Sequence, residues 1–361
     1  MKTKQEIIRI FLGKGKLLTP EALNALENIE QIPDKEYGGL ILTEKDFQEK
    51  AVIRILKHLE KKPTETTTED FVKFYTAKYE KMKGVILSRV QKNFVSLNKL
   101  DSARSEVYVL GIVKDIKEGE KKVVELEDLT GSVPIIFDDI DGLELDDVVA
   151  IRAVSAGKVL YGKEIIYPDI PLRKPAVGTG KACFISDLHI DESPKQDIEK
   201  FFGWFENQDI PYLFIAGDIC DKKNLEALID RYCHGKKIFV TPGEKDSDKE
   251  YPHLAEAIQN KNSIPLSNPA MVELNGIKVL MVHRFNIDML KKRYLGKSRI
   301  IIPDDYLVLE EVPDIVHCGH SHEPHVMNYK SVTIVNSGSP LKEFRPVVVD
   351  FATREVVQVK L

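Results

Sequence analysis

Four shortages narrow what this chain can be. It has no excess of basic charge: 52 Lys and Arg stand against 57 Asp and Glu, a formal net charge of −5. A general electrostatic attraction to nucleic acid is therefore excluded, and any such contact must come from a local patch. It has four cysteines, Cys183, Cys220, Cys233 and Cys318, and no C-x-x-C pair. A chain of 361 residues can bury cores without staples, so reduced thiols and a cytoplasmic location are expected. No apolar run approaches the roughly 18 residues of a membrane span. Residues 1–18 carry Lys and Arg throughout, which reads as a helix and not a secretory signal. Histidine is nearly missing from the first half: of nine, only His58 precedes residue 189. His58 stands alone in a charged stretch and reads as a solvated surface side chain. Whatever chemistry the chain performs belongs to its second half.

What is present is ordinary for a folded protein, 43% hydrophobic and 30% charged, with length for two or three domains. Residues 1–62 read as a helical region. One short helix is closed by Gly13 and Gly15, another over 21–29 follows Thr19-Pro20, and a third runs from Thr43 to about Lys62. After Pro63 and a threonine-rich stretch, a connecting helix is expected over 69–100, with Phe71, Phe74, Tyr75, Tyr79 and Met82 spaced for one buried face. Over 101–172 the period changes to two, and five short strands separated by turns predict a small OB-type barrel. Its loops carry Asp138, Asp139, Asp141, Glu144, Asp146 and Asp147, which favours docking to protein over binding of nucleic acid. A proline-rich passage, 168–175, marks a boundary. Over 178–361 apolar strands alternate with helices in an α/β layer design.

Carboxylates and imidazoles sit at the ends of those strands. In order they are Asp187 and His189, Gly217-Asp218, Gly243-Glu244-Lys245-Asp246, His283, and His320 with His322 in Gly319-His320-Ser321-His322. Such groups are costly to cluster unless they hold cations. An extended D-x-H run is expected to point Asp187 and His189 the same way. Order and spacing resemble the calcineurin-like metallophosphoesterases, whose pattern is D-x-H, G-D, G-N-H-D, H and G-H-x-H. The resemblance implies an α/β metallophosphoesterase sandwich, here preceded by a β OB-type barrel and an N-terminal helical region. It also implies two divalent metal ions, Mn foremost, with Fe, Zn or Mg as alternatives. Asp187, His189, Asp218 and His322 would hold one ion; Asp218, Glu244, His283 and His320 would hold the other. Glu244 and Lys245 replace the family's asparagine and histidine, so Lys245 would take the catalytic position, with Asp246 pairing to it. A lysine is a poor proton donor, which predicts slow hydrolysis. Arg284 stands where the family usually has glycine.

Longer runs resemble, more specifically, the small subunits of archaeal family D DNA polymerases. They are 126–132 (LEDLTGS), 168–171 (PDIP), 303–308 (PDDYLV), 312–320 (VPDIVHCGH) and 334–338 (IVNSG). This resemblance implies an accessory subunit bound to a large catalytic subunit, with a metal-dependent 3′–5′ exonuclease acting on single-stranded DNA ends. A catalytically silent scaffold and a stand-alone phosphoesterase for nucleotides or DNA ends remain the alternatives. The basic run Lys291-Lys292-Arg293 reads as a solvated helix face, with contact to DNA phosphate as the alternative.

Overall fold

The structure, a computed structural model, describes residues 3–27, 39–43, 52–63, 65–101, 103–156, 159–247 and 250–361. The chain divides into two compact units, Met1–Val52 and Ile53–Leu361. In the first, the helix Lys4–Gly13 opens on a reciprocal cap in which the Glu6 amide donates to the Thr3 hydroxyl and the Thr3 amide to the Glu6 carboxylate. Proline at the first position starts the second helix, Pro20–Glu27; residues 28 and 29 of the expected helix lie outside the described residues. Ile7, Phe11, Ala22, Leu26 and Leu42 close a small core.

The helix expected over 43–62 is corrected. Residues 44–51 lie outside the described residues, and Ile53–Lys57 is a strand. Val52, Ile53 and Ile55 are β-branched, and a sheet edge is open to them. Arg54 lies opposite Glu273, and the two form a cross-strand ion pair at 3.9 Å. His58 is corrected with it: half-buried just past this strand, its Nδ1 accepts the Ser267 amide at 3.1 Å.

The long helix Thr68–Arg89 carries the same kind of cap, Thr67 with Asp70. It buries Phe74, Lys78, Tyr79, Met82 and Ile86. Phe71 and Tyr75, expected on that face, remain substantially exposed. Strands Glu106–Lys117, Lys122–Asp128, Gly131–Phe137, Val148–Ala156 and Val159–Ile166 form a closed barrel. Closure comes from the first strand pairing with the fourth, and from parallel pairing of Ile135 with Leu160 between the third and fifth. Asp128 shows what the run 126–132 is for: its carboxylate accepts the amides of Thr130 and Gly131 in the turn, and that of Leu97 from the connecting segment.

The basic run at 291–293 is not a solvated face. Lys292 Nζ meets Asp147 at 2.9 Å and Glu144 at 3.4 Å, so it lands on the acidic barrel loop. Lys291 lies over the Tyr167 ring at 4.6 Å. Arg293 is buried and donates to the carbonyls of Leu309 and Glu310. Part of the acidity read as a docking surface is thus met by the chain itself. The motif 168–171 is the joint: Asp169 accepts from Tyr329 and Lys330, and Arg89 donates to the carbonyls of Pro168 and Asp169.

The C-terminal part is a sandwich of two sheets. One, in order, is Ser263–Pro265, Lys237–Thr241, Tyr212–Ala216, Lys181–Ser186, Val347–Asp350 and Val356–Gln358. The other is Pro324–Tyr329, Val332–Ser339, Ile315–His317, Ile277–Met281, Ala270–Leu274 and Ile53–Lys57, with Glu343–Phe344 paired beside Val332–Ser339. Phe184, Phe214, Phe239, Val279, Ile315 and Val335 fill the space between them. Helices Lys195–Glu206 and Lys222–Tyr232 cover the first sheet through Phe201, Phe202, Phe205, Leu225 and Ile229.

Candidate metal centre

Register places the site. In the first sheet Ala216 is the partner of both Ser186 and Thr241. The parallel strands therefore end level, and the next residues, Asp187, Gly217-Asp218 and Pro242-Gly243-Glu244, leave the sheet side by side. In the second sheet His317 pairs with Met281 and Val335. His283 and Gly319-His320 leave at a common level in the same way, beside Asn336, which is still inside the strand Val332–Ser339. Five strand ends from two facing sheets converge at one point.

The expectation of an extended D-x-H run is corrected. Asp187 has φ 51° and His189 φ 39°, and Asp218 (46°), Cys220 (65°), His320 (69°) and His322 (55°) are also left-handed. Left-handed backbone at non-glycine residues is costly and gathers at functional sites. Here it folds the loops against each other, with the Asp187 amide donating to Gly217 O at 3.1 Å and the His189 amide to Asp218 O at 2.9 Å. The packing leaves no room for side chains between them. A Cβ on Gly217 would stand 2.1 Å from His283 Nδ1, and one on Gly243 2.1 Å from Asp218 Oδ1.

The candidate ligands form three overlapping groups, Asp187–His189–His322, Glu244–His283–His320 and Asp187–Asp218–His283, with the ligand atoms of each group within 4.8 Å of one another. His283 is the centre of charge. Its Nδ1 meets Ala216 O at 3.0 Å, so that nitrogen carries the proton. Its Nε2 is buried without a hydrogen-bond partner, facing Glu244 Oε2 at 3.0 Å, Asp218 Oδ2 at 3.4 Å and Asp187 Oδ1 at 3.7 Å. Burial would depress the His283 pKa, but the carboxylates of Asp218 and Glu244 outweigh it and hold it well above its ordinary value. Burial likewise opposes ionisation of Asp218 and Glu244, yet contact with His283 brings each down to about 2. Burial keeps Asp187 raised. Three carboxylates thus converge on one ring nitrogen: without a cation they favour its proton, and a cation taking that proton's place would be held by the neutral ring and the same carboxylates. Hard oxygen ligands mixed with imidazoles suit Mn, Fe or Zn.

Lys245 and Asp246 do not form the expected pair. Asp246 accepts the amides of Ile219, Cys220 and Gly243, each at 2.8 Å. Three fixed backbone donors outcompete a mobile ammonium, so Asp246 staples the Asp218 loop to the Glu244 loop. The Lys245 amide donates to Asp218 Oδ1 at 2.9 Å while its side chain is exposed. Its charge adds to burial in lowering the His189 pKa. Arg284 Nε meets Glu244 Oε1 at 3.3 Å.

Several supporting residues have roles that the sequence reading did not assign. Asn268 Oδ1 accepts the His283 amide at 3.2 Å, and Ser339 Oγ donates to Asp187 O at 2.7 Å. Asn336 donates to Gly319 O at 2.9 Å, and Cys220 Sγ stands 3.3 Å from His189 Nδ1. Asn336 falls in the run 334–338, which carries part of the resemblance; Asn268 has no motif around it.

Fold and centre together define a class. Residues 181–357 match the calcineurin-like phosphoesterase superfamily domain. Over most of its length the chain is also similar to archaeal proteins named DNA polymerase II small subunit. It is 28% identical to that of Archaeoglobus fulgidus, over 80% of this chain and 74% of the relative. For Thermoplasma acidophilum the identity is 27%, over 93% and 86%. For Methanothermobacter thermautotrophicus it is 24%, over 91% and 84%.

Proposed function

We propose that this chain is the small subunit of a two-subunit archaeal DNA polymerase and that its phosphoesterase centre is a divalent-metal 3′–5′ exonuclease for single-stranded DNA. The reading rests on one observation above the others: three overlapping ligand groups, each within 4.8 Å, where the strand ends of two sheets meet. Asp187, His189, Asp218 and His322 would hold one ion; Asp218, Glu244, His283 and His320 would hold the other. Bound there, such ions neutralise phosphoryl charge and lower the pKa of a coordinated water. The chain's own residues do the rest. Asp218 joins the two halves of the centre. Asp246 and Asn268 fix the loops that carry the ligands. Lys245, exposed and without an imidazole's proton chemistry, supplies only diffuse positive charge, which leaves hydrolysis slower than an intact third motif would give by a factor of roughly 10²–10⁴.

The test is a nuclease assay with Mn on labelled single-stranded DNA, with and without the large subunit, beside elemental analysis. Slow Mn-dependent loss of 3′ nucleotides, abolished together with Mn uptake in Asp218→Ala, is the expected result. Mn uptake with no hydrolysis in either condition would leave a scaffold; absence of Mn uptake overturns the metal reading itself.

A further inference from the structure

We infer that Arg284, held by Glu244, is the phosphate-binding residue of this centre, and that the departures at 244 and 284 act as one unit. The inference rests on the metal reading above and assigns substrate recognition within it. Glu244 divides its two oxygens. Oε2 faces His283 at 3.0 Å and His320 Nδ1 at 3.6 Å, on the ligand side. Oε1 faces Arg284 Nε at 3.3 Å, on the solvent side. An asparagine at position 244 could ligate through its carbonyl oxygen but could not hold a guanidinium by charge. A glycine at 284 would leave nothing to hold. The charge added by Glu244 is returned by Arg284, so this pair adds no net charge while fixing a cation at the rim of the centre.

The position of that cation is specific. The ion pair uses Nε, and the Arg284 side chain is 64% exposed. Arg284 and Glu244 both line a groove of about 610 Å³, with Tyr251, Asn286, Met289 and Lys297. That volume is in the range of small-molecule sites. The other cations of the groove are engaged: Lys292 with Asp147 and Glu144, and Lys297 with Glu144 at 3.1 Å. Glu144, Asp147 and Asp288 line the groove as well, so it repels further phosphates, and one guanidinium beside the candidate ligands fits a single phosphate attached to an uncharged body, which is a terminal nucleotide.

Titration calorimetry on the full chain separates the two ideas. Mn²⁺ affinity is measured first, and then binding of thymidine 5′-monophosphate to the Mn-loaded protein. Arg284→Gly is expected to bind Mn²⁺ as well as wild type or better, because the Glu244 carboxylate is released. It is expected to bind the mononucleotide about 10-fold to 100-fold more weakly, the worth of one charge-assisted contact. Arg284→Lys should recover part of the loss. Glu244→Asn, which keeps Arg284 but removes its anchor, should lose mononucleotide affinity, and adding Arg284→Gly to it should cost little more. Unchanged mononucleotide affinity in Arg284→Gly, with Mn²⁺ still bound, overturns the inference alone. A wild-type protein that takes up no Mn²⁺ overturns the metal reading and this inference with it.

Discussion

Residues 244 and 245 sit next to each other and answer to different parts of the centre. Glu244 faces His283, His320 and Arg284, whereas the Lys245 amide is bound to Asp218 and its side chain is exposed. Restoring an imidazole should therefore be tried at 245 alone. Lys245→His is expected to raise the single-turnover nuclease rate by up to roughly 10²–10⁴, the range of a general acid. Adding Glu244→Asn should reduce the gain by releasing Arg284. Equal rates for wild type and Lys245→His would show that proton donation is not what limits this chain. A second residue, His317, governs stability in acid. It is fully buried in the strand Ile315–His317 with its ring edge-on to Phe184, and burial pushes its pKa down to about 3 against a weak opposing pull from the Ile185 backbone. The unfolded chain takes up that proton below the ordinary value of 6.5. Between the two values unfolding gains protons, so stability is lost as pH falls, by roughly 2 kcal/mol at pH 5 from this group. His317→Phe removes the dependence: the difference between its denaturation midpoint and that of wild type should widen in its favour from pH 7 to pH 5. A constant difference would contradict the assignment.

At the scale of elements, Lys292 shows how barrel and sandwich are joined. Its side chain is 13% exposed and that of Asp147 12%. Burial raises the Asp147 pKa, and the Lys292 contact is the first force opposing it. Lys292→Ala leaves that carboxylate buried without its cation and should cost about 3 kcal/mol by guanidinium unfolding. Lys292→Met combined with Asp147→Asn should recover most of it. No such pairing was legible in the sequence, because 291–293 and 138–147 lie far apart and each looks like an ordinary solvated charge run. The strand at 53–57 was illegible for a related reason: five residues, Ile-Arg-Ile-Leu-Lys, have no period long enough to separate helix from strand, and the edge of Ala270–Leu274 decides it. Elements with strong local signals were read closely. Tyr212–Ala216 ends where its apolar run ends, and five strands close a barrel where five short strands were expected. The candidate ligands were readable because each follows an apolar strand. The staple role of Asp246 and the support from Asn268 were not, since both depend on which backbone amides the fold brings near.

At the scale of the whole molecule, the similarity to polymerase small subunits extends through barrel and sandwich alike, and assembly is the property to measure. Mixed at micromolar concentration with the large subunit from the same source, the chain should co-elute with it in size-exclusion chromatography. Separate elution would count against the subunit reading and leave a stand-alone phosphoesterase. The level strand ends have a consequence of another kind. Asp187, Asp218 and Glu244 come from one sheet; His283, His320 and His322 come from the other. A cation shared among them is a bolt through the sandwich. At a concentration 100 times its dissociation constant it would add about 2.7 kcal/mol to the folded state. A lineage that stopped cutting DNA would still lose its clasp by discarding these ligands. Selection for a durable scaffold could therefore preserve the outline of a nuclease after the third motif had drifted.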